Sequence, residues 1–316
     1  MTGHRGIVVV GEGMVELSGT GRRARIGYGG DTLNTAIHLA RFGLPTAFFT
    51  ALGSDPFSDR LRDEWSSEGL DPSLILTDPG RHPGLYAIHT DRDGERSFTY
   101  WRGQSAARRM FQLEGTQNAV ERAQNAALLY FSLISLAILP PRGREKLLRL
   151  ACRVRERGGR VAFDGNYRRR LWRNAQEARQ WRDAAIGSCD VGLPSLEDEQ
   201  QLCGFVSAAP VAKAWRSLGA TEVVVKMGKD GAFVCDAPIA PPVELEPVDT
   251  TGAGDAFNAA YLAARLNGVE PRQAALAGQS LAGWNVMRSG AVPAIDADAP
   301  YRRAGFLAAK PVSSRV

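Results

Sequence analysis

Two stretches of the chain combine residue types that could do chemistry at a spacing that would let them do it. The first is Asp249-Thr250-Thr251-Gly252-Ala253-Gly254-Asp255-Ala256-Phe257. It precedes an apolar segment predicted as a helix over Ala256 to Leu266, with Gly268 placed to end it. The two threonines are suited to cap that helix. The two glycines let backbone approach a ligand without a Cβ in the way. The amides of Gly252, Ala253 and Gly254 would then face outward at the positive end of a helix dipole, which is an anion site. Charge that accumulates on a phosphoryl group in transfer is what such donors stabilise. Asp255 follows at once. A carboxylate beside a bound phosphate is repelled by it, so Asp255 is better suited to take a proton from an attacking hydroxyl. The purely structural alternative is a capped helix whose Asp favours the dipole, and a lone G-x-G-D would support no more than that.

The second stretch is Gly29-Gly30-Asp31-Thr32-Leu33-Asn34, at the start of a predicted helix, Thr32 to Phe42. Its glycines permit close approach to a ligand, and Asp31 and Asn34 either cap the helix or face that ligand. Further on, Gly84–Thr90 and Arg96–Trp101 flank Asp91-Arg92-Asp93-Gly94-Glu95 and read as a hairpin. Alternation puts Tyr86 opposite Tyr100 on one face, with Arg102 beside them. That is an aromatic platform with a guanidinium suited to a planar carboxylate. Asp164-Gly165-Asn166-Tyr167-Arg168 follows a short apolar run. Arg168 there would reach an anionic ligand at a strand's carboxyl end, while Arg169, Arg170 and Arg173 are expected at the surface. Val8-Val9-Val10-Gly11-Glu12-Gly13 suggests half of a dinucleotide fingerprint, but Glu16 stands where the third glycine belongs.

Short apolar runs at Ile7–Val10, Ala47–Ala51, Leu128–Ser132, Arg160–Phe163, Val191–Leu193 and Glu222–Lys226 are predicted as buried strands. They alternate with helical spacing at Pro56–Ser67, Arg142–Arg157, Gln176–Gly187, Ala209–Leu218 and Gln273–Met287. That rhythm predicts an α/β fold with a central, mostly parallel sheet flanked by helices. Its ligands gather beyond the carboxyl ends of the strands. The segments at about 17–28 and 84–102 break the rhythm and are expected to form a small β-sheet lid. The whole chain, 1–316, is read as one domain, with a poorly ordered tail after Lys310.

Composition narrows the class. Of 316 residues, 44% are hydrophobic and 23% charged, and the net charge is +5. The basic clusters at Arg142 to Arg160 and Arg168 to Arg173 are expected to be solvated surface. No nucleic-acid module accompanies them. Cys152, Cys189, Cys203 and Cys235 form no C-x-x-C pair and read as reduced, mostly buried side chains, and the scattered histidines make a zinc site improbable. Ile7 to Val10 is too short for a signal-peptide core and no run reaches membrane-span length, so a cytoplasmic protein is expected. There is no G-x-x-x-x-G-K-[ST] loop and no protein-kinase H-R-D set.

Taken together, Asp249–Phe257 and Gly29–Asn34 resemble the two signatures of the PfkB/ribokinase family of carbohydrate kinases, in the right order and far apart. The resemblance extends from Val8 to about Pro293. It implies a ribokinase-like fold and ATP-dependent phosphorylation of a sugar, with Asp255 as base and Gly252, Ala253 and Gly254 around the transferred phosphoryl. It implies sugar contacts from Gly29, Gly30, Asp31 and Asn34. It places the nucleotide near Asn166, Arg168, Lys226, Gly228, Gly231, Gly252 and Gly254. Pro83–Tyr86, Gly94–Arg96, Tyr100–Arg102 and Asp164–Arg168 with Leu171-Trp172 are similar to the branch of 2-keto-3-deoxygluconate (2-dehydro-3-deoxygluconate) kinases. That branch phosphorylates the C6 hydroxyl of a sugar acid, with Tyr86, Tyr100, Arg102 and Arg168 as candidate substrate contacts. A fructokinase or other neutral-sugar kinase is the alternative, and a non-catalytic sugar-binding sensor a further one. Mg²⁺ is expected to be held mainly by ATP phosphates and water. Many relatives carry Asn-x-x-Glu near the metal; here Ser195 replaces the Asn, and Asp198 or Glu199 would supply the carboxylate. The lid's strand edges suggest a homo-oligomer.

Overall fold

In the computed structural model, residues 6–19, 25–90 and 96–301 are described. The hairpin loop at 91–95 and the tail after Lys310 lie outside them. The strands are β1 Ile7–Val10, β2 Met14–Ser18, β3 Arg25–Gly29, β4 Thr46–Leu52, β5 Leu70–Asp71, β6 Ile75–Thr77, β7 Gly84–Thr90, β8 Arg96–Trp101, β9 Leu128–Ser132, β10 Arg160–Asp164, β11 Val191–Gly192, β12 Glu222–Lys226, β13 Ala232–Val234 and β14 Ala237–Ile239. The helices are α1 Asp31–Arg41, α2 Pro56–Ser67, α3 Thr116–Ala123, α4 Leu133–Ile138, α5 Pro141–Glu156, α6 Ala175–Gly187, α7 Leu196–Cys203, α8 Ala208–Leu218, α9 Ala253–Leu266 and α10 Pro271–Val286.

Ten strands form the main sheet in the order β14-β13-β12-β11-β10-β9-β1-β4-β5, with β6 also paired to β4. From β12 to β5 every pairing is parallel, and only β13 and β14 run antiparallel at one edge. The period-2 alternation of side chains divides the core into two layers. Val8, Val10, Phe49, Leu129 and Phe131 pack on one face with α5 residues Leu147, Leu150 and Val154. Ile7, Val9, Phe48, Leu128 and Tyr130 pack on the other with Leu33 and Ile37 of α1 and Leu262 of α9. Burial on both faces is why these strands read as continuous apolar runs rather than alternating ones.

The second sheet has the order β3-β2-β7-β8. Tyr86 pairs with Tyr100 in the expected register, and their rings stack at 5.7 Å with an interplanar angle of 22°. Main-sheet register also aligns the strand ends: Asp164 pairs with Ser132, and Val10 with Phe131. The carboxyl ends of β1, β9, β10 and β12 therefore open on one side, where the start of α9 packs against α1 through Thr35 and Asn34.

Three local expectations are corrected. Helix α9 starts at Ala253, and its N-cap is Gly252 at φ 76° with no side-chain cap, so Thr250 and Thr251 do not cap it. The left-handed backbone required at the cap is what selects glycine over threonine. The basic cluster is not all solvated: Arg144 is buried, stacked on Trp172 and Trp181, and donates to the carbonyls of Leu136 and Leu139 at the end of α4. Of the four free cysteines only Cys189 is buried, while Cys152 and Cys235 are exposed.

Candidate active site

Asp255 is the third residue of α9 and is buried at 8% exposure. Its Oδ2 accepts from Asn34 Nδ2 at 2.8 Å, across 221 residues of sequence. Thr35 Oγ1 donates to the Asp255 carbonyl at 3.3 Å. The Gly-Gly helix and the Asp255 helix are thus fastened together side chain to side chain. Neither Asp31 nor Asn34 caps α1, whose N-cap is Gly30 without a side-chain bond. A Cβ on Gly30 would lie 2.2 Å from the Glu12 carbonyl oxygen, so the turn admits only glycine.

Two further acids belong to the same cluster. Asp31 Oδ2 accepts from Ser132 Oγ at 2.5 Å and from Asn166 Nδ2 at 3.1 Å. Asp164, at the end of β10, receives Lys226 Nζ on Oδ1 at 2.9 Å and Asn258 Nδ2 on Oδ2 at 2.9 Å. Asn258 also accepts from Lys226 Nζ at 3.0 Å and donates to Tyr130 Oη at 3.0 Å. Asp164 and Asp255 are buried and the half-buried Asp31 lies with them, with the Lys226 ammonium on Asp164. Burial first, then Asp31, holds the Asp255 carboxyl well above the ordinary range; Asn34 opposes, Asp164 reinforces and Lys226 opposes. Asp31 is raised too, chiefly by burial, against the Ser132 hydrogen bond. A base with a raised pKa is a stronger proton acceptor once ionised.

The loop before α9 is braced from both sides. Asp249 Oδ1 accepts from Thr251 N at 3.0 Å and Oδ2 from Gly290 N at 2.7 Å, and Asn285 Nδ2 donates to the Thr251 carbonyl at 2.9 Å. Ala253 N–H donates to Thr250 O at 3.3 Å, so that amide is already engaged in the turn. Gly254 and Asp255, next in the first turn, have no carbonyl four residues back within the helix to receive their amides. A Cβ on Gly254 would sit 3.8 Å from Lys226 Nζ, which places the ammonium beside the first turn of α9.

The sheet β3-β2-β7-β8 supplies a wall. Tyr86 Oη donates to Glu16, and a Cβ on Gly29 would lie 2.2 Å from that hydroxyl. Arg102 does not stand free as the clamp expected of it: its Nε donates to Glu12 Oε2 at 2.7 Å, and Nη2 contacts the same carboxylate. Arg170 is exposed, as expected, and its guanidinium lies over the Tyr100 ring at 3.9 Å, joining this sheet to the main body. Arg168 pairs with Asp198 at 3.3 Å and donates to its own Tyr167 carbonyl.

Several expected ligands are thus drawn together while others are redirected. Asn166 donates to Asp31, and the Lys226 side chain donates to Asp164 and Asn258. Gly228 and Gly231 have positive φ, at 59° and 92°, in the turn after β12. Glu199 is a correction: it is 1% exposed and its Oε1 takes Arg182 Nε at 2.9 Å, so its negative charge is spent inside the protein. Asp198 remains near the site, accepting from Arg168 and from Ser195 Oγ at 2.7 Å. Among the described residues no three His, Cys, Asp or Glu side chains gather as a metal site.

Sequence reasoning gave no role to Glu12, Asp164, Tyr130 or Asn258. Two of them carried a signal. Glu12 is a charged residue two positions beyond a wholly apolar strand, and Asn258 lies three residues after Asp255 on the same helix face. A separate groove of about 450 Å³, lined by residues such as Phe111, Thr116, Lys146 and Arg153, shares no residue with this cluster. The chemistry is argued from the acids and amides at the strand ends, where such sheets bind ligands.

The family profile described as pfkB family carbohydrate kinase matches residues 5–298. The 2-dehydro-3-deoxygluconokinase of Escherichia coli K12 is 42% identical over 299 residues, covering 90% of this chain and 96% of that protein. That of Dickeya dadantii is 38% identical, covering 93% and 98%. In fold, the crystal structure of 2-dehydro-3-deoxygluconokinase from Thermotoga maritima superimposes with a TM-score of 0.81 at 22% identity, over 92% of this chain and 97% of that one. With a profile match spanning nearly all the described residues, and both of its signature loops meeting at Asp255 and Asn34, the chain belongs to the pfkB family of carbohydrate kinases.

Proposed function

We propose that the chain transfers the γ-phosphoryl group of ATP to the C6 hydroxyl of 2-dehydro-3-deoxygluconate. The observation that carries the reading is the Asn34–Asp255 hydrogen bond, which holds a carboxylate at the dipole-positive end of α9, beside the Gly-Gly turn. In the proposed step the hydroxyl oxygen attacks the γ-phosphorus in line, and Asp255 takes the hydroxyl proton. The bond from that phosphorus to the bridging oxygen breaks and ADP leaves. The first-turn amides of α9 and Lys226 meet the charge that builds on the equatorial oxygens. ATP arrives with Mg²⁺. Asp198, paired with Arg168 beside the Asp164–Lys226 pair, would supply the protein's carboxylate toward that ion.

Tyr86, Tyr100 and Arg102, with Asp31 and Asn34 beneath, are read as the sugar-acid contacts. The sheet that bears the aromatic pair is read as a lid of a single kinase domain, which on closing excludes water and suppresses ATP hydrolysis. No described helix is long and apolar enough to cross a membrane, and we place the enzyme in the cytoplasm with its ATP. We further infer that a second copy pairs through this sheet, whose edges are β3 and β8.

A coupled ADP-release assay over sugars and sugar acids tests the assignment. We expect 2-dehydro-3-deoxygluconate to give the highest kcat/KM, and Arg102→Ala to raise its KM. Preference for fructose, unaffected by Arg102→Ala, would favour the neutral-sugar alternative. Sugar-acid binding without any ADP release would instead mark a sensor.

A further inference from the structure

The two signature loops meet inside the site through Asn34 and Asp255. Outside it, the segments that carry them are joined a second time. Strand β3 runs into the Gly29-Gly30 turn, and its penultimate residue, Tyr28, donates from Oη to Glu68 Oε1 at 3.2 Å. Arg60 of α2 donates to the Ile26 carbonyl of the same strand at 3.0 Å. Helix α2 and its C-cap Glu68 therefore hold β3 at two points, just before the turn that presents Asp31 and Asn34.

Glu68 offers the same carboxylate to Arg41, the last residue of α1. Arg41 Nε donates to Oε2 at 2.7 Å and Nη2 to Oε1 at 2.8 Å. The two side chains are only 5% and 22% exposed, and a bidentate pair largely out of water is fixed in direction as well as distance. The remaining nitrogen, Nη1, donates to the Pro293 carbonyl at 2.7 Å, with Tyr301 Oη at 3.5 Å. Pro293 closes the short run from Gly290 that braces the loop before α9. Gly290 N is bound by Asp249, and the Ala291 backbone fills the space that a Gly252 side chain would need. The path Tyr28–Glu68–Arg41–Pro293 thus links the Gly-Gly turn to the loop before α9, and it avoids both Asn34 and Asp255. That independence matters during turnover. When Asp255 takes a proton, its hydrogen bond from Asn34 is no longer charge-assisted and weakens, while the outer path keeps both of its charges.

We propose that Tyr28, Glu68 and Arg41 are positioning residues, an outer clasp that sets the separation between the turn at the sugar and the loop that receives the phosphoryl group. In-line attack needs the hydroxyl oxygen close to the γ-phosphorus, and a misplacement of about 1 Å costs about a hundredfold in rate. The clasp acts on the reaction only through the two loops that it holds. The inference rests on the kinase reaction proposed above.

The test uses the full chain with Tyr28→Phe, Arg41→Lys and the two combined. A lysine keeps the charge but cannot grip Glu68 twice and reach the Pro293 carbonyl as well. The readout is ATP hydrolysis without sugar divided by phosphorylation of 2-dehydro-3-deoxygluconate, a ratio that does not change with the folded fraction of a sample. Water attacks ATP without help from the Gly-Gly turn, so a change in the separation of the two loops falls mainly on the denominator. Tyr28→Phe is expected to raise the ratio about fivefold and Arg41→Lys about tenfold, through kcat, with KM for the sugar acid within about threefold. Because the clasp is serial, the double variant should lie within about twofold of Arg41→Lys. A ratio within about twofold of wild type in Tyr28→Phe, or a double variant whose effect is the product of the two single effects, would each overturn the proposal. Tyr28→Phe removes one half-buried hydroxyl and leaves the Arg41–Glu68 pair in place, so it carries the test alone should Arg41→Lys fail to fold. A wild-type enzyme that phosphorylates a different sugar overturns the substrate reading alone, and the same ratio on that sugar then decides the clasp.

Discussion

At the residue scale, the site sets stability against function at Asp255. Its ionised form is disfavoured by burial and by Asp31 and favoured by Asn34. Because the folded-state pKa lies above the unfolded one, protonated Asp255 stabilises the fold fully below the ordinary carboxylate range, near pH 4. That contribution is lost as pH rises through the folded value. On the proposed mechanism, the reaction uses the ionised form of Asp255 that the fold disfavours. Asp255→Asn removes the charge while leaving an amide oxygen for Asn34 Nδ2. The variant is expected to lose turnover by about a thousandfold or more, to retain sugar-acid binding, and to melt a few degrees higher than wild type at pH 7. Calorimetry over pH 4 to 8 checks the linkage: the gap between variant and wild type should widen as pH rises. A variant that melts lower at every pH would show that the carboxylate is a net structural support.

At the scale of elements, the loop before α9 depends on packing that a single sequence window does not reveal. Gly252 leaves no room for a side chain: a Cβ would lie 2.7 Å from the Ala291 backbone. That backbone is in turn fastened to α1 through His38. The Ala291 carbonyl can only accept, so His38 Nε2 carries the proton and donates to it at 3.3 Å, while Nδ1 accepts from Tyr301 Oη at 2.7 Å. Burial, then Arg41, pushes the His38 pKa down to about 3 against the pull of that carbonyl. The imidazole folds neutral and the unfolded chain takes up a proton near pH 6.5. Its contribution is present above pH 6.5 and is lost as pH falls toward 3, at about 1.4 kcal/mol per unit. His38→Gln should be less stable than wild type at pH 7, yet its stability should fall less steeply between pH 6.5 and 4.5. Equal slopes in urea titrations of the two proteins would rule the linkage out.

The same scale shows what the sequence could carry. Buried strands and amphipathic helices declare themselves locally, and β1, β9 and β12 lie where the apolar runs end. The two signature loops and the Tyr86–Tyr100 register were legible for the same reason, since turn chemistry and alternation are short-range. The charge partners were not. Glu12 meets Arg102 across 90 residues and Lys226 meets Asp164 across 62, and no periodicity links them. The start of α9 was misplaced because Ala253 and Gly254 read as loop, while the tertiary anchors Asp249 and Asn285 fold them into the helix. Glu199 misled because an acidic first turn looks alike whether it faces a ligand or, as here, a buried arginine.

At the scale of the molecule, the small sheet has two faces of unlike character. Tyr86, Tyr100 and Glu16 share the face toward the site, and register puts Ile26, Leu17, Ala87, Tyr28, Val15, Leu85 and Trp101 on the other. Val15 is buried against the main body, but Ile26 is 39% and Trp101 58% exposed. Open strand edges and large apolar side chains on an exposed sheet face are costly to leave in water. A second copy of the same sheet would cover both under twofold symmetry. Covering a large apolar side chain contributes about 2 kcal/mol, so Ile26→Lys with Trp101→Lys should weaken a dimer by about a hundredfold or more. Sedimentation velocity on the full chain at micromolar concentration is expected to show a dimer for wild type and a monomer for the double variant. The monomer should keep its fold, because neither side chain is buried. Were the sheet also steadied as a lid by its partner, the monomer would show a raised KM for the sugar acid and faster ATP hydrolysis without it, since an unsupported lid excludes water less completely. A wild-type monomer at tens of micromolar would end the pairing argument, leaving the exposed Trp101 without the role argued for it.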